Sequence, residues 1–119
     1  MIVTRLVHSV PVLDLRGAIT GTQADSGLRQ AVRAAVDRSA RLVVVNLAEV
    51  TAIDSSGVAD LAVNHTWVAG RGGRLALCNP TAKLKDVFVT TRLNTVFDIY
   101  ESEDDALAAV SRGRRGPRP

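Results

Sequence analysis

Three features of the sequence predict an α/β fold: a single domain with a mixed, mostly parallel sheet of about five strands and about four helices, ordered β-β-α-β-α-β-α-β-α. The first is Leu42-Val43-Val44-Val45 followed by Leu47, an apolar, β-branched run without alternation, as expected of a strand buried on both faces. The second is the alternation, from that strand onward, of strand-length apolar runs with helical periodicities, which gives βαβ units and parallel pairing. The third is size. At 119 residues and 46% hydrophobic content the chain has room for one core, and with aromatics at only 3% Val, Leu, Ile and Ala must fill it.

Met1 to Val7 reads as an edge strand with Ile2, Thr4 and Leu6 on one side. His8-Ser9 makes a tight connection to a second strand, Val10 to Arg16, in which Leu13 and Leu15 alternate with Asp14 and Arg16. Pro11 lacks a donor and is expected to face away from the ladder or lie at its edge. Gly17-Ala18-Ile19-Thr20-Gly21 follows as a loop. Thr22 and Asp25 have capping-box spacing, and Leu28, Ala31, Val32, Ala35 and Val36 give the first helix its apolar stripe. Gly27 costs a helix interior about 1 kcal/mol against alanine, which moves the expected start toward Ser26.

The central strand runs into Thr51-Ala52-Ile53-Asp54-Ser55-Ser56-Gly57 and then a helix with Val58, Leu61, Ala62, Thr66 and Ala69 as its apolar positions. Gly70-Arg71-Gly72-Gly73 ends that helix. Because it follows a helix, it reads as a connector and not as a phosphate-binding loop. Arg74 to Cys78 is a further inner strand, with Cys78 as a small buried hydrophobe. Asn79-Pro80 has the form of an N-cap and first helical residue. Leu84, Val87 and Phe88 then face inward and Lys83, Lys85 and Asp86 outward, until Thr90 to Asn94 breaks the helix. Val96 to Tyr100 reads as a short edge strand, and Ser102 with Asp105 caps a last helix with Leu107 and Val110 inward.

Domain and tail divide near residue 110. Over 1–110 there are eleven basic and twelve acidic side chains; 111–119 adds four arginines among Gly and Pro, a segment that cannot bury apolar surface and is expected to be a disordered basic tail. The basic pI therefore describes the tail, and without a recognition helix or adjacent aromatic it argues against nucleic-acid binding. No stretch approaches the roughly 18 to 20 apolar residues that cross a bilayer, and the start lacks a signal-peptide pattern. With one cysteine and no leader the expectation is a cytoplasmic protein without a membrane partner.

Asp54, Ser55 and Ser56 all suit a helix N-cap, so spacing leaves the helix start open. One reading is that they only cap. Another is that a hydroxyl here is phosphorylatable, since the orphan N–H groups and helix dipole favour added negative charge. A serine nucleophile would need a base within hydrogen-bond reach, and the chain has only His8, in a turn, and His65, in a helix. The Gly-x-Ser-x-Gly elbow is missing and no metal cluster or Walker loop occurs. Neither enzymatic activity, nor a metal, nor a cofactor is expected.

Asn46-Leu47 and Ile53-Asp54-Ser55-Ser56-Gly57, set between an apolar strand and an apolar helix, resemble the signature of the STAS family, specifically bacterial anti-sigma-factor antagonists. The resemblance covers about residues 1 to 110. It implies that Ser55 is the phosphoacceptor and that the unphosphorylated protein binds an anti-sigma factor that is also a serine kinase. Phosphorylation would switch that binding off and a phosphatase would restore it, as in transcriptional stress responses. Asp54, Ser55, Ser56, Gly57 and Val58 would then form the partner-binding turn, flanked by Thr20 and by Asp60, Asn64 and Trp67 on the helix. The family's Gly-Glu-Leu-Asp-like loop appears here as Gly17-Ala18-Ile19-Thr20, with both acids replaced. That departure leaves open a second function, a non-switching STAS scaffold subunit of a signalling or lipid-transport complex.

Overall fold

A computed structural model of the chain describes residues 2–8, 10–19, 21–37 and 42–113, leaving out the side chains of 21–26, 37 and 110–113. Within these, the elements are β1 (Ile2–Val7), β2 (Val10–Ile19), α1 (Gly21–Asp37), β3 (Leu42–Ile53), α2 (Ser55–Gly70), β4 (Arg74–Cys78), α3 (Ala82–Thr90), a 3-10 turn (Leu93–Thr95), β5 (Asp98–Tyr100) and α4 (Glu103–Gly113). The five strands form one sheet in the order β1-β2-β3-β4-β5, with β1 antiparallel to β2 and every later pair parallel. The expected mixed α/β architecture is what the chain adopts.

Each parallel step moves to the neighbouring strand in the same direction, so right-handed crossovers put their helices on one face. Leu13, Leu15, Val43, Val45, Leu47, Leu75 and Leu77 point to that face and meet Leu28 and Val32 of α1, Leu61 and Val68 of α2, and Leu84 and Phe88 of α3. Val10, Val12, Val44, Ala76 and Cys78 point the other way, where Ala106 and Leu107 of α4 cover them. The central run of β3 is thus buried on both faces, as its composition requires.

Several boundaries differ from the sequence reading. β2 continues through Gly17-Ala18-Ile19, expected as loop, because Gly17 adopts φ +84 and the register shifts let Ala18 pair with Ala52 and Ile19 with Ile53. β3 likewise absorbs Thr51 to Ile53. Pro11 lies opposite Leu6, just before the ladder with β3 begins at Val12, so its missing donor breaks nothing there. Helix α1 starts at Gly21, earlier than Gly27 implied. Of Ile2, Thr4 and Leu6, expected on one side of β1, only Ile2 is packed on the core; Thr4 is exposed and Leu6 is 69% exposed.

The expected Asn79 cap is replaced by Thr81, whose hydroxyl accepts from the Leu84 N–H at 3.3 Å. Asn79 instead takes φ 55, donates its N–H to the Tyr100 carbonyl at 3.1 Å, and ties the end of β4 to β5. β5 is shorter than expected, since the 3-10 turn carries Phe97 into the core before pairing starts at Asp98. Ser102 caps α4 as anticipated, its hydroxyl accepting from the Asp105 N–H at 3.1 Å. α4 continues to Gly113, so the boundary expected at 110 falls inside it; residues 114–119 lie outside the described residues.

One polar cluster interrupts the α4 face. Arg5 of β1 donates to both carboxylate oxygens of Asp14 and, through Nη2, to Glu103 Oε1 at 2.6 Å. Asn46 donates to Asp14 at 3.0 Å and accepts from Asn79 at 3.1 Å. Hydrogen bonds from Arg5 hold the Asp14 carboxyl below its ordinary 3.8, and donating to Asp14 and Glu103 raises the Arg5 guanidinium further. Cys78 beside them is buried as expected, and desolvation pushes its thiol up to about 12.

Candidate functional site

The turn from β3 into α2 resolves the helix start that spacing left open. Asp54 is the N-cap, with φ −114 and ψ −175, and its Oδ1 accepts from the Gly57 N–H at 2.9 Å. The first helical bond runs from the Val58 N–H to the Asp54 carbonyl at 2.9 Å. Ser55 and Ser56 are therefore the first two helical residues, and Ser56 is not the cap. Both are exposed. Among the described residues their N–H groups have no acceptor, so they face solvent at the positive end of the α2 dipole.

Gly57 allows this turn to sit where it does. A Cβ there would stand 2.2 Å from the Ile19 carbonyl oxygen and 2.8 Å from Ile53 Cγ1, so only hydrogen lets the first turn of α2 close onto the end of β2. The Asp54 N–H reaches the same Ile19 carbonyl at 3.4 Å. Because Ala18 and Ile19 pair with Ala52 and Ile53, the end of β2 borders the turn directly. Ala18 is exposed and uncharged, so this border brings no carboxylate toward Ser55; Thr20, its expected companion, lies outside the described residues.

The other expected contact residues divide sharply. Val58 is buried and belongs to the packing of the turn. Asp60 and Asn64, expected to be exposed, are buried at 9% and 2%. Asn64 donates to the Asp60 carbonyl at 2.8 Å and reaches Asp60 Oδ1 at 3.4 Å, so these polar groups occupy inward helical positions one turn apart. Thr66 and Ala69, expected inward, are exposed, while Val68 takes the inward position. Polar residues at inward slots disguised the helical phase.

The accessible surface running from Ser55 along α2 is instead Ser56, Ala59, Val63 and Thr66, an uncharged strip on which Val63 is 58% exposed. Sequence reading missed Val63, although a valine outside the inward phase was the available signal. Trp67 is half-buried, packed on the core, with the guanidinium carbons of Arg33 and Arg71 at 4.9 and 4.4 Å from its ring centroid.

Neither histidine is near Ser55. His8, at φ 51, forms the β1–β2 turn at the far end of β2, and His65 lies along α2 with its ring edge-on to Phe97 at 5.6 Å. Among the described residues no group of His, Cys, Asp and Glu is arranged to hold a metal ion, and no helix is long and apolar enough to cross a membrane. The arrangement presents an exposed hydroxyl beside unpaired N–H donors on a rigid turn, a geometry that can hold an added anionic group.

Solved structures of the same shape exist. An anti-sigma factor antagonist from Mycobacterium paratuberculosis superposes with a TM-score of 0.81 at 24% identity, covering 93% of each chain. The anti-sigma factor antagonist SpoIIAA in its unphosphorylated form gives 0.76 at 21% identity over 100% of both chains. The Bacillus cell fate determinant SpoIIAA in its phosphorylated form gives 0.69 at 20%, covering 92% of this chain and 99% of that one. Compared with curated proteins, the sequence finds no match. At these identities the structures establish likeness of fold. The family model for the STAS domain matches residues 1–106, the whole sheet and the start of α4, and the chain belongs to the STAS domain family.

Proposed function

We propose that the protein is an anti-sigma-factor antagonist switched at Ser55. The unmodified turn docks on an anti-sigma factor with serine kinase activity, phosphate transfer from ATP to Ser55 ends the complex, and a phosphatase restores it. The observation that carries this reading is the placement of Ser55: an exposed hydroxyl at the first helical position, next to two N–H groups without acceptors and held by the Asp54 cap. A phosphate adds about −1.5 to −2 charges, and at a helix N-terminus it strengthens the local fold while opposing a surface shaped for a neutral hydroxyl. Likeness to SpoIIAA, solved in both unphosphorylated and phosphorylated forms, supports the same reading. The role is that of a cytoplasmic binding module without catalysis, acting on a sigma factor's availability.

One observation favours a second reading. The border of the turn is uncharged at Ala18, and the family's second acid is replaced by Thr20, which fits a STAS scaffold subunit that binds a partner without a phosphorylation cycle. Intact mass after incubation with ATP and each anti-sigma kinase of the same genome separates the two. One phosphate on the wild type and none on Ser55→Ala, with the modified form no longer retained by the kinase, is the expected result. No phosphate with any of them would overturn the switch and leave the scaffold.

A further inference from the structure

We infer that the α1/α2 face carries a second docking surface, centred on Trp67 and built to take an acidic peptide segment of a partner protein. Two guanidiniums converge on one indole: Arg33 from α1 and Arg71 from the C-cap of α2, at 4.9 and 4.4 Å from the ring centroid. Both arginines are exposed, and Arg29 is exposed one turn before Arg33 on α1. Among the described residues Arg5, Arg74 and Lys85 are ion-paired with carboxylates, but Arg33 and Arg71 are not. A guanidinium attracted to an aromatic face keeps N–H donors that a carboxylate can accept from. Two such groups brought to one ring repel each other until an anionic group bridges them.

The helix C-terminus accounts for a cation at position 71, since the α2 dipole favours one there. It does not account for Arg33, which comes from another helix and meets the same ring. The charge of the domain selects the kind of anion. Over residues 1–110 basic side chains number eleven and acidic twelve, so the positive character of the patch comes from Arg29, Arg33 and Arg71 themselves, none ion-paired among the described residues. A nucleic acid needs a footprint of roughly six to ten phosphate contacts, which three arginines do not supply. A short run of Glu or Asp matches two adjacent forks and the apolar ring between them.

This surface is separate from the Ser55 turn. α2 spans Ser55–Gly70, which at about 1.5 Å per residue puts Arg71 roughly 24 Å from Ser55. Its occupancy therefore does not depend on whether Ser55 is phosphorylated.

Trp67 is the chain's only tryptophan, so its emission reports the patch without a label. The experiment is a titration of the full chain with a hexaglutamate peptide, followed by tryptophan emission at low and at raised ionic strength. Wild type, Arg33→Gln/Arg71→Gln and Arg33→Lys/Arg71→Lys are compared, with far-UV circular dichroism to confirm that each is folded. The expected result is a saturable, salt-weakened change for the wild type, at least about tenfold weaker binding for the Gln pair, and clear weakening for the Lys pair, which keeps charge but loses the planar fork. No saturable change with wild type, or equal affinity for all three proteins, would overturn the proposal. Tighter binding of inorganic pyrophosphate or an oligothymidylate than of the peptide would overturn the assignment to an acidic protein segment.

Discussion

A Cβ on Gly57 would stand 2.2 Å from the carbonyl oxygen of Ile19, well inside any van der Waals contact. The obstacle is backbone, held in the β2–β3 ladder by the pairing of Ile19 with Ile53, and cannot rotate away as a side chain could. Gly57→Ala is expected to destabilise the fold by about 2–3 kcal/mol through overpacking, read as a lower urea midpoint. A variant within about 0.5 kcal/mol of wild type would show that the turn yields.

Asp54 caps α2 through a carboxylate oxygen, so the shape of its acceptor matters more than its charge. Asp54→Ala is expected to cost about 1 kcal/mol in chemical denaturation, and Asp54→Asn only a few tenths. Equal losses for both variants would place the importance of Asp54 in its charge. Ser55→Ala, changing an exposed first-turn residue, should stay within about 0.5 kcal/mol, which makes it a clean probe of switching.

Arg5 holds the Asp14 carboxyl below its ordinary 3.8, so the contribution of this pair is fully present at neutral pH. It is lost as pH falls below about 3.8 toward the depressed folded-state value, because protonation in the native state then removes the charge Arg5 binds. Arg5 is 39% exposed, so solvent screening limits the pair to about 1 kcal/mol. Asp14→Asn should therefore be less stable than wild type by that amount at pH 7, with the gap closing below pH 4. A constant gap across an acid titration would assign the loss to packing.

Cys78 has no solvent-exposed surface and its thiol sits at about 12. The folded protein is expected to be inert to a thiol-exchange reagent at pH 8, and to release one equivalent of thiol on unfolding in guanidinium. Reaction at a rate independent of denaturant would mean that the α4 face opens readily.

How far these features could be read from sequence depended on whether local pattern or tertiary contact decided them. The apolar run of β3, the Ser102 cap and the Gly72 helix end at φ +79 are local, and each stands where its residues indicated. The site's central turn was legible in part: Asp54 and Gly57 bracket it within four residues, but which of Asp54, Ser55 and Ser56 caps is settled by the bond from the Gly57 N–H to Asp54. What was hidden depended on partners distant in sequence. Asn79 was diverted from capping by Asn46 and Tyr100. Asp60 and Asn64 are the local exception, polar residues one turn apart that bond to each other at inward positions of α2. Ala18 and Ile19 became strand only by pairing with Ala52 and Ile53.

The clasp of Arg5 on Glu103 joins residues 98 positions apart, from the sheet's outermost strand to the helix that follows the last one. During synthesis β1 leaves the ribosome long before α4 exists. Until α4 arrives, Val12, Val44, Ala76 and Cys78 of the nascent sheet have no cover on that side. Helix α4, which begins at residue 103, thus sets when the domain becomes safe from aggregation, and a ribosome stalled before it would present an apolar sheet face to chaperones and proteases.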